Sequence, residues 1–340
     1  MVWSGIYQSD AYRCFAGSPQ LFCPNFCRKL GVEVSLKDII YNCESTGVPP
    51  RKTYQIFCRK LGVEVIMLKT RVISAVAGLA LLIAVLYLGS VSIGIAISLI
   101  AAIGLYEFYN AASNIKNINP IKSAGYLSVI PLLILGIEKT GLFRVDVSIL
   151  LGISVCLIIF LSMSFIVLNH NRYNIIDACV TAFGIAYVPF LMSFLILVRN
   201  MEQGGYLIWL IFIGAWGTDT MAYTCGRLFG KRKIIPEISP KKTYAGAIGG
   251  IIGCILLMIA FGAVCSNSFD LKIPYAVLAL LGFCCGIISQ IGDWAASAIK
   301  RYVNVKDFGN IMPGHGGVLD RFDSILFVAP VVYYIILLLK

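Results

Sequence analysis

Between Asp293 and Asp323 the chain gathers carboxylates, cations and bare backbone in a sequence that is otherwise mostly apolar. Asp293, Ser297 and Lys300 are spaced i, i+4, i+7, so a helix through them puts all three on one face, with Arg301 beside them. A loop then holds Lys306, Asp307 and the turn from Pro313 through His315, Gly316 and Gly317, and Asp320, Arg321 and Asp323 open the last apolar run. Hard carboxylate oxygens at Asp293, Asp320 and Asp323 suit Mg2+, which leaves coordination positions for phosphate oxygens, so the stretch is expected to handle a phosphorylated substrate with a divalent cation. The glycines either let backbone approach a ligand closely or simply form a tight turn. His315 either donates to a phosphate or makes a structural hydrogen bond, and spacing alone leaves both pairs of readings open.

A second polar stretch lies upstream. Ser239-Pro240-Lys241-Lys242-Thr243 puts hydroxyls on either side of two cations, just before a glycine-rich helix start at Gly246, Gly249 and Gly250. Helix N-termini and lysines both favour anions, so triphosphate oxygens fit here, although no Walker-type glycine loop is present. Lys231, Arg232 and Lys233 are equally well explained as a topology signal. Asp219, in Trp-Gly-Thr-Asp-Thr-Met-Ala-Tyr, and Asp293 fall in or near the ends of apolar runs. A carboxylate there costs several kcal/mol, on the order of 3 on insertion scales, unless it meets a cation or a wet cavity, so both read as functional. The alternative is an internal ion pair, for instance with Arg227 or Lys300.

The elements that carry these residues are apolar. Of 340 residues 59% are hydrophobic and 13% charged, with a mean hydropathy of +0.85. A soluble domain carries about 25% charged residues, so an all-α integral membrane protein is expected. From Val72 onward about nine spans are read, near 72–89, 91–112, 125–137, 147–168, 175–198, 205–225, 245–265, 275–298 and 324–339, the third being short for a bilayer. The net charge of +11 does not form one soluble patch that would serve nucleic acid; the cations sit in short loops. With Met67 on the cytoplasmic side, the outer segments hold only Lys139, Arg144, Arg199, Lys272 and Lys340, which satisfies the positive-inside rule. That topology puts the polar loops 226–244 and 299–323 together on the cytoplasmic face of the cell membrane, where nucleotides are available.

Residues 1–66 are of another kind. They are polar and contain Phe-Cys-Arg-Lys-Leu-Gly-Val-Glu-Val twice, at 26–34 and 57–65. Two copies are too few for a solenoid, and no signal-peptide pattern is present. Met67 opens a basic lead into the first apolar run and reads as a natural start, so 1–66 is expected to be a non-catalytic extension, with N-terminal spans at 67–200 and a catalytic region at 201–340. Cys14, Cys23, Cys27, Cys43 and Cys58 all lie in that extension, where no histidine stands near them and zinc is disfavoured; the other seven of the 12 cysteines read as small hydrophobes in apolar runs. His170 and His315 are the two histidines, too few for a histidine-rich metal centre.

The block Ser297-x-x-Lys300-Arg301, Lys306-Asp307, Pro313-x-His315-Gly316-Gly317-x-x-Asp320-Arg321-x-Asp323 resembles the signature of the phosphatidate cytidylyltransferases, or CDP-diacylglycerol synthases, of bacterial type. Ser239 to Thr243 and Asp219 to Tyr223 are similar to that family's upstream motifs, and Ala245 stands where the family commonly has an acidic residue. The resemblance spans about residues 67–340. It implies transfer of CMP from CTP to phosphatidic acid with release of pyrophosphate, in phospholipid biosynthesis. It also implies Mg2+, with room for a second cation, at Asp293, Asp320 and Asp323. Lys300 and Arg321 would then stabilise phosphoryl charge. Asp219, Ser239, Lys241, Lys242, Thr243, Ser297, Arg301, Lys306, His315, Gly316 and Gly317 would face the substrates. Membrane lipids would surround the helices, and a homodimer is in keeping with the family.

Three rival readings carry less. A transporter explains spans and buried acids but not two charged loops on one side, and no paired internal repeat is visible in the spans. A CTP-using lipid kinase lacks the His-Gly-Gly-x-x-Asp-Arg-x-Asp block, and the Asp-Gly-x-x-Ala-Arg motif of CDP-alcohol phosphotransferases is missing here.

Overall fold

The computed structural model describes residues 76–140, 147–239, 241–269, 273–312 and 316–338. The duplicated nonamer, Pro240 and His315 lie outside them, and the contacts divide the chain between Val76 and Ala77. Every regular element among the described residues is helical; extended pairing is confined to isolated bridges between Lys233 and Thr243 and between Met312 and Gly316.

In chain order the helices are α1 (Val76–Leu88), α2 (Ser90–Ala112), α3 (Lys122–Leu127), α4 (Ile130–Ile137), α5 (Val147–Leu168), α6 (Ile175–Asn200), α7 (Gly204–Phe212), α8 (Thr218–Phe229), α9 (Tyr244–Phe269), α10 (Tyr275–Tyr302) and α11 (Leu319–Leu337). A π segment at Ala186–Phe190 interrupts α6, and another at Ile213–Gly217 joins α7 to α8. Four of these, α2, α6, α9 and α10, are long and apolar enough to cross a membrane. The hydropathy pattern reads about nine spans, and at two of them the structure shows where the apolar run changes character. The run at 125–137 is split, because the chain turns at Ser128 between α3 and α4. The run at 205–225 continues through its π segment but gives way to the polar Thr218, Asp219, Thr220 and Thr224 in α8.

Glycines let the helices approach closely where they cross, as expected where lipid removes the hydrophobic drive for helix association. A Cβ on Gly94 of α2 would stand 2.5 Å from the Cα of Gly136 in α4. Along α9, Gly249 meets Cys225 and Gly253 meets Met221, both on α8, and on its other side Gly282 of α10 lies against Ile255. The order α8, α9, α10, α11 therefore packs neighbour on neighbour, and α11 also touches α2, α6 and α7. Leu195, Ile211, Leu281, Cys285, Ile325 and Val328 form the shared interior. Apolar side chains such as Leu99, Ile159, Phe160, Ile252 and Leu256 point outward, where a soluble protein would carry charge.

Candidate active site

The site is built where α8, α10 and α11 converge on the loops 230–243 and 303–318. Thr243 caps α9: its hydroxyl accepts the amide of Gly246 at 3.2 Å, the usual bond from a capping residue to the third helical N–H. Backbone bonds from Ile234 N–H to the Lys242 carbonyl and from Tyr244 N–H to the Arg232 carbonyl close the preceding loop. That closure holds Lys242 inward, where its ammonium pairs with Asp293 of α10. Lys241 remains exposed, and Ser239 is half-buried one turn earlier. The glycines at the start of α9 have a packing role: Gly246 lies against the Ala222 carbonyl and Gly250 against Ala222 and Thr218.

Asp293, Ser297, Lys300 and Arg301 follow one another along α10, as their spacing predicts. Lys300 is buried and its ammonium donates to Asp320 Oδ1 at 2.6 Å, lying also over the ring of Phe308 at 5.4 Å. The other oxygen of Asp320 accepts the amides of Phe308 at 2.8 Å and Gly317 at 3.1 Å. Asp320 thus ties α10, the 303–318 loop and the start of α11 into one knot. Arg301 is exposed and donates to the Val305 carbonyl, and Lys306 is exposed on the loop. Gly316 has φ +85, which only glycine adopts without strain, and its carbonyl accepts the Met312 amide.

A second group forms beside that knot. Ser324 donates its hydroxyl to Asp219 Oδ2 at 3.1 Å and to Asp323 Oδ1 at 3.4 Å, joining α8 to α11. The charges of Asp219, Asp293 and Asp323 act on one another, and those of Lys242, Lys300 and exposed Arg321 reach into the group. Asp219 Oδ1 is buried without a hydrogen-bond partner. Such an oxygen, beside two further carboxylates, is what a hard divalent cation takes. Among the described residues no set of three or more His, Cys, Asp or Glu side chains closes on a single point. A cation held here would therefore take a few protein oxygens and draw others from a substrate, which is how Mg2+ ordinarily sits between carboxylates and phosphates. The residues fit it on those terms.

Of the three acids that spacing groups for a metal, the structure brings Asp293 and Asp323 together with Asp219, and gives both oxygens of Asp320 to Lys300 and backbone amides. It also supplies a residue that the motifs do not contain. Glu107, on α2 and 1% exposed, accepts the amides of Val318 at 3.0 Å and Leu319 at 2.8 Å and so caps α11 from the other end of the sequence. The one signal for it in the sequence is an ionisable side chain inside an apolar run.

Acids and lysines thus meet at the ends of apolar helices, and comparison with known proteins defines the class. The family model described as the cytidylyltransferase family matches residues 69–339. A phosphatidate cytidylyltransferase of Staphylococcus haemolyticus is 34% identical over 266 residues, which is 77% of this chain and 96% of that protein. The phosphatidate cytidylyltransferase of Bacillus subtilis is 39% identical over 181 residues, 53% of this chain and 66% of that protein. One from Staphylococcus aureus is 32% identical over 263 residues, 77% and 96% of the two chains. The chain is a nucleotidyltransferase and belongs to the bacterial phosphatidate cytidylyltransferase family.

Proposed function

We propose that this enzyme transfers the cytidylyl group of CTP to phosphatidic acid, giving CDP-diacylglycerol and pyrophosphate in a Mg2+-dependent reaction at the cytoplasmic face of the cell membrane, its chain crossing the bilayer several times. One observation carries the reading: Asp219 and Asp323 share the Ser324 hydroxyl, Asp293 is close enough for its charge to act on both, Lys242 is brought onto Asp293 by its loop, and the Lys300 and Asp320 pair belongs to the same helices α10 and α11. Two highly charged phosphate groups must meet in this reaction, and such a set neutralises and orients both.

An oxygen of the lipid phosphate forms the new bond to the α-phosphorus of CTP, and the bond from that phosphorus to the bridging β-phosphate oxygen breaks. Its electron pair leaves with pyrophosphate. The attacking group is already ionised, so no strong base is required of the protein. Oxygens from among Asp219, Asp293 and Asp323, with the rest drawn from substrate, would hold Mg2+, which when bound supplies charge neutralisation at the phosphate oxygens. Lys242 exchanges its carboxylate partner for phosphate as substrate enters, and Lys241, exposed on the same loop, adds charge at its mouth. Lys300, buried and fixed by Asp320, lends positive charge from a set position. Arg321 and Arg301 stand at the exposed rim for the leaving pyrophosphate. The apolar outer surfaces of the helices leave the diacyl tails in the bilayer.

The test is to incubate the purified protein in detergent with phosphatidic acid, CTP and Mg2+ and to follow lipid and phosphate products together. CDP-diacylglycerol and pyrophosphate should form in equal amounts and stop on addition of EDTA. CDP in place of pyrophosphate would make the enzyme a kinase, and no lipid product from folded protein would refute the proposal.

A further inference from the structure

Six side chains among the described residues bury a polar atom without a hydrogen-bond partner, and Tyr187 is one of them, 4% exposed with its hydroxyl unpaired. A buried phenol normally finds an acceptor, because leaving it unmade forfeits a bond that water would have supplied. Where this hydroxyl sits supplies the reason. Tyr187 lies in the π segment of α6, which also contains Pro189; the wider winding accommodates a residue that has no N–H to give and turns its neighbours off the regular helical face. The ring stacks on Phe183, with centroids 5.9 Å apart, and meets Phe327 of α11 edge-on at 6.3 Å. Phe327 in turn lies against Gly292, which also touches the Asp323 carbonyl. The ring thus packs on α11 through Phe327, which bridges it to α10 at Gly292 one residue before Asp293, and the charges of Asp323, Asp320 and Asp293 all bear on the phenol.

We infer that Tyr187 is a substrate-contacting residue: its hydroxyl donates to a phosphate oxygen of the substrate bound beside Asp293 and Asp323, and this is the partner it lacks in the free enzyme. The inference rests on the cytidylyl-transfer reading of the site. It gives the N-terminal helices a direct part in the chemistry, through a side chain about a hundred residues ahead of the signature block. Aromatic packing on Phe183 and Phe327 fixes the ring beforehand, so the hydrogen bond forms without the entropic cost of ordering a long side chain.

Tyr187→Phe keeps the ring and removes one oxygen. The assay is pyrophosphate release with phosphatidic acid and CTP, each varied in turn, alongside thermal unfolding in the same detergent. Tyr109→Phe is the contrast, because the Tyr109 hydroxyl already donates to the Thr181 carbonyl at 3.1 Å and is spent on the fold. For Tyr187→Phe, kcat/KM should fall about ten- to a hundredfold, the loss of one hydrogen bond to a charged acceptor, while the melting temperature stays level or rises. Tyr109→Phe should show the opposite signature, a lower melting temperature with kcat retained. Wild-type kinetics in Tyr187→Phe, with the wild-type enzyme active, would overturn the inference and leave the proposed reaction standing. A Tyr187→Phe protein that failed to fold would overturn it too, since it would show the hydroxyl partnered within the protein. An inactive wild-type enzyme would instead refute the proposed reaction.

Discussion

Glu107 offers the sharpest test of how the two halves of the sequence cooperate. Its carboxylate receives the Val318 and Leu319 amides at 3.0 and 2.8 Å, at the N-terminus of the helix whose first turns bear Asp320 and Asp323. Replacing it by alanine orphans both N–H groups in a place closed to water. Each orphan costs about 1–3 kcal/mol, and loss of an anion from a helix N-terminus adds roughly 0.3–1 kcal/mol. The variant also removes a buried charge whose own desolvation was unfavourable, so the net destabilisation belongs near the low end, about 2–3 kcal/mol. Glu107→Gln keeps one acceptor oxygen and points an amide NH2 at the second donor, and should lose roughly half as much. Activity should fall in both, more in alanine, because the same turn carries the Asp320 that clamps Lys300. Tryptophan-fluorescence melting in detergent and cytidylyl transfer at saturating substrate read the two effects. Unchanged melting and unchanged activity in Glu107→Ala would refute the reasoning; lowered melting with full activity would confine Glu107 to the fold.

Asp293→Asn and Asp323→Asn should each lower kcat by about a hundredfold or more, with normal membrane insertion, since each removes charge aimed at the reacting phosphates; comparable turnover in both would remove these acids from the mechanism. Lys300→Met should destabilise by about 3–5 kcal/mol, because it leaves the buried Asp320 carboxylate without its cation, and the melting temperature reports it. The double variant Lys300→Met with Asp320→Asn should recover part of that stability but none of the activity. A chain beginning at Met67 should retain full turnover, the family match beginning only at residue 69; an inserted but inactive truncation would give residues 1–66 a role.

How much of this was written in the sequence depends on the range over which each signal acts. The α10 face with Asp293, Ser297 and Lys300 follows from helical spacing, and Asp320 and Asp323 one turn apart on α11 do so equally. Partnership does not follow from spacing. Asp293 and Lys242 are 51 residues apart, and Asp219 and Ser324 are 105 apart; only helix packing decides that Lys242 goes to Asp293 while Lys300 goes to Asp320. Gly246, Gly249 and Gly250 show the same limit from the other side. A glycine cluster behind two lysines is compatible with a phosphate cradle and with close helix contact alike, and the structure fills the second role by seating α9 against α8. Glu107 is farthest from any motif, brought to the start of α11 by α2 alone.

The charges explain why the two acid groups divide their work. Asp320 is matched by Lys300 and by two amides, so it is neutralised within the protein and its geometry is frozen before substrate arrives. Among the described residues the Lys242 ammonium is the one cation in direct contact with Asp219, Asp293 or Asp323, the Ser324 hydroxyl and amide being neutral donors, and Asp219 leaves an oxygen bare. Three carboxylates against one contacting ammonium leave negative charge in excess, partly shielded from solvent, where each like-charge pair is more costly than in water. A divalent cation bound there would remove that excess. Once it is removed, Lys242 is no longer required at Asp293 and becomes free for a phosphate, so metal and nucleotide should bind with positive cooperativity. Magnesium titrations at fixed CTP, and CTP titrations at fixed magnesium, should each shift the apparent affinity of the other by the same factor. Lys242→Met should weaken CTP binding and tighten Mg2+ binding together; loss of both affinities in that variant would show that Lys242 only braces its loop.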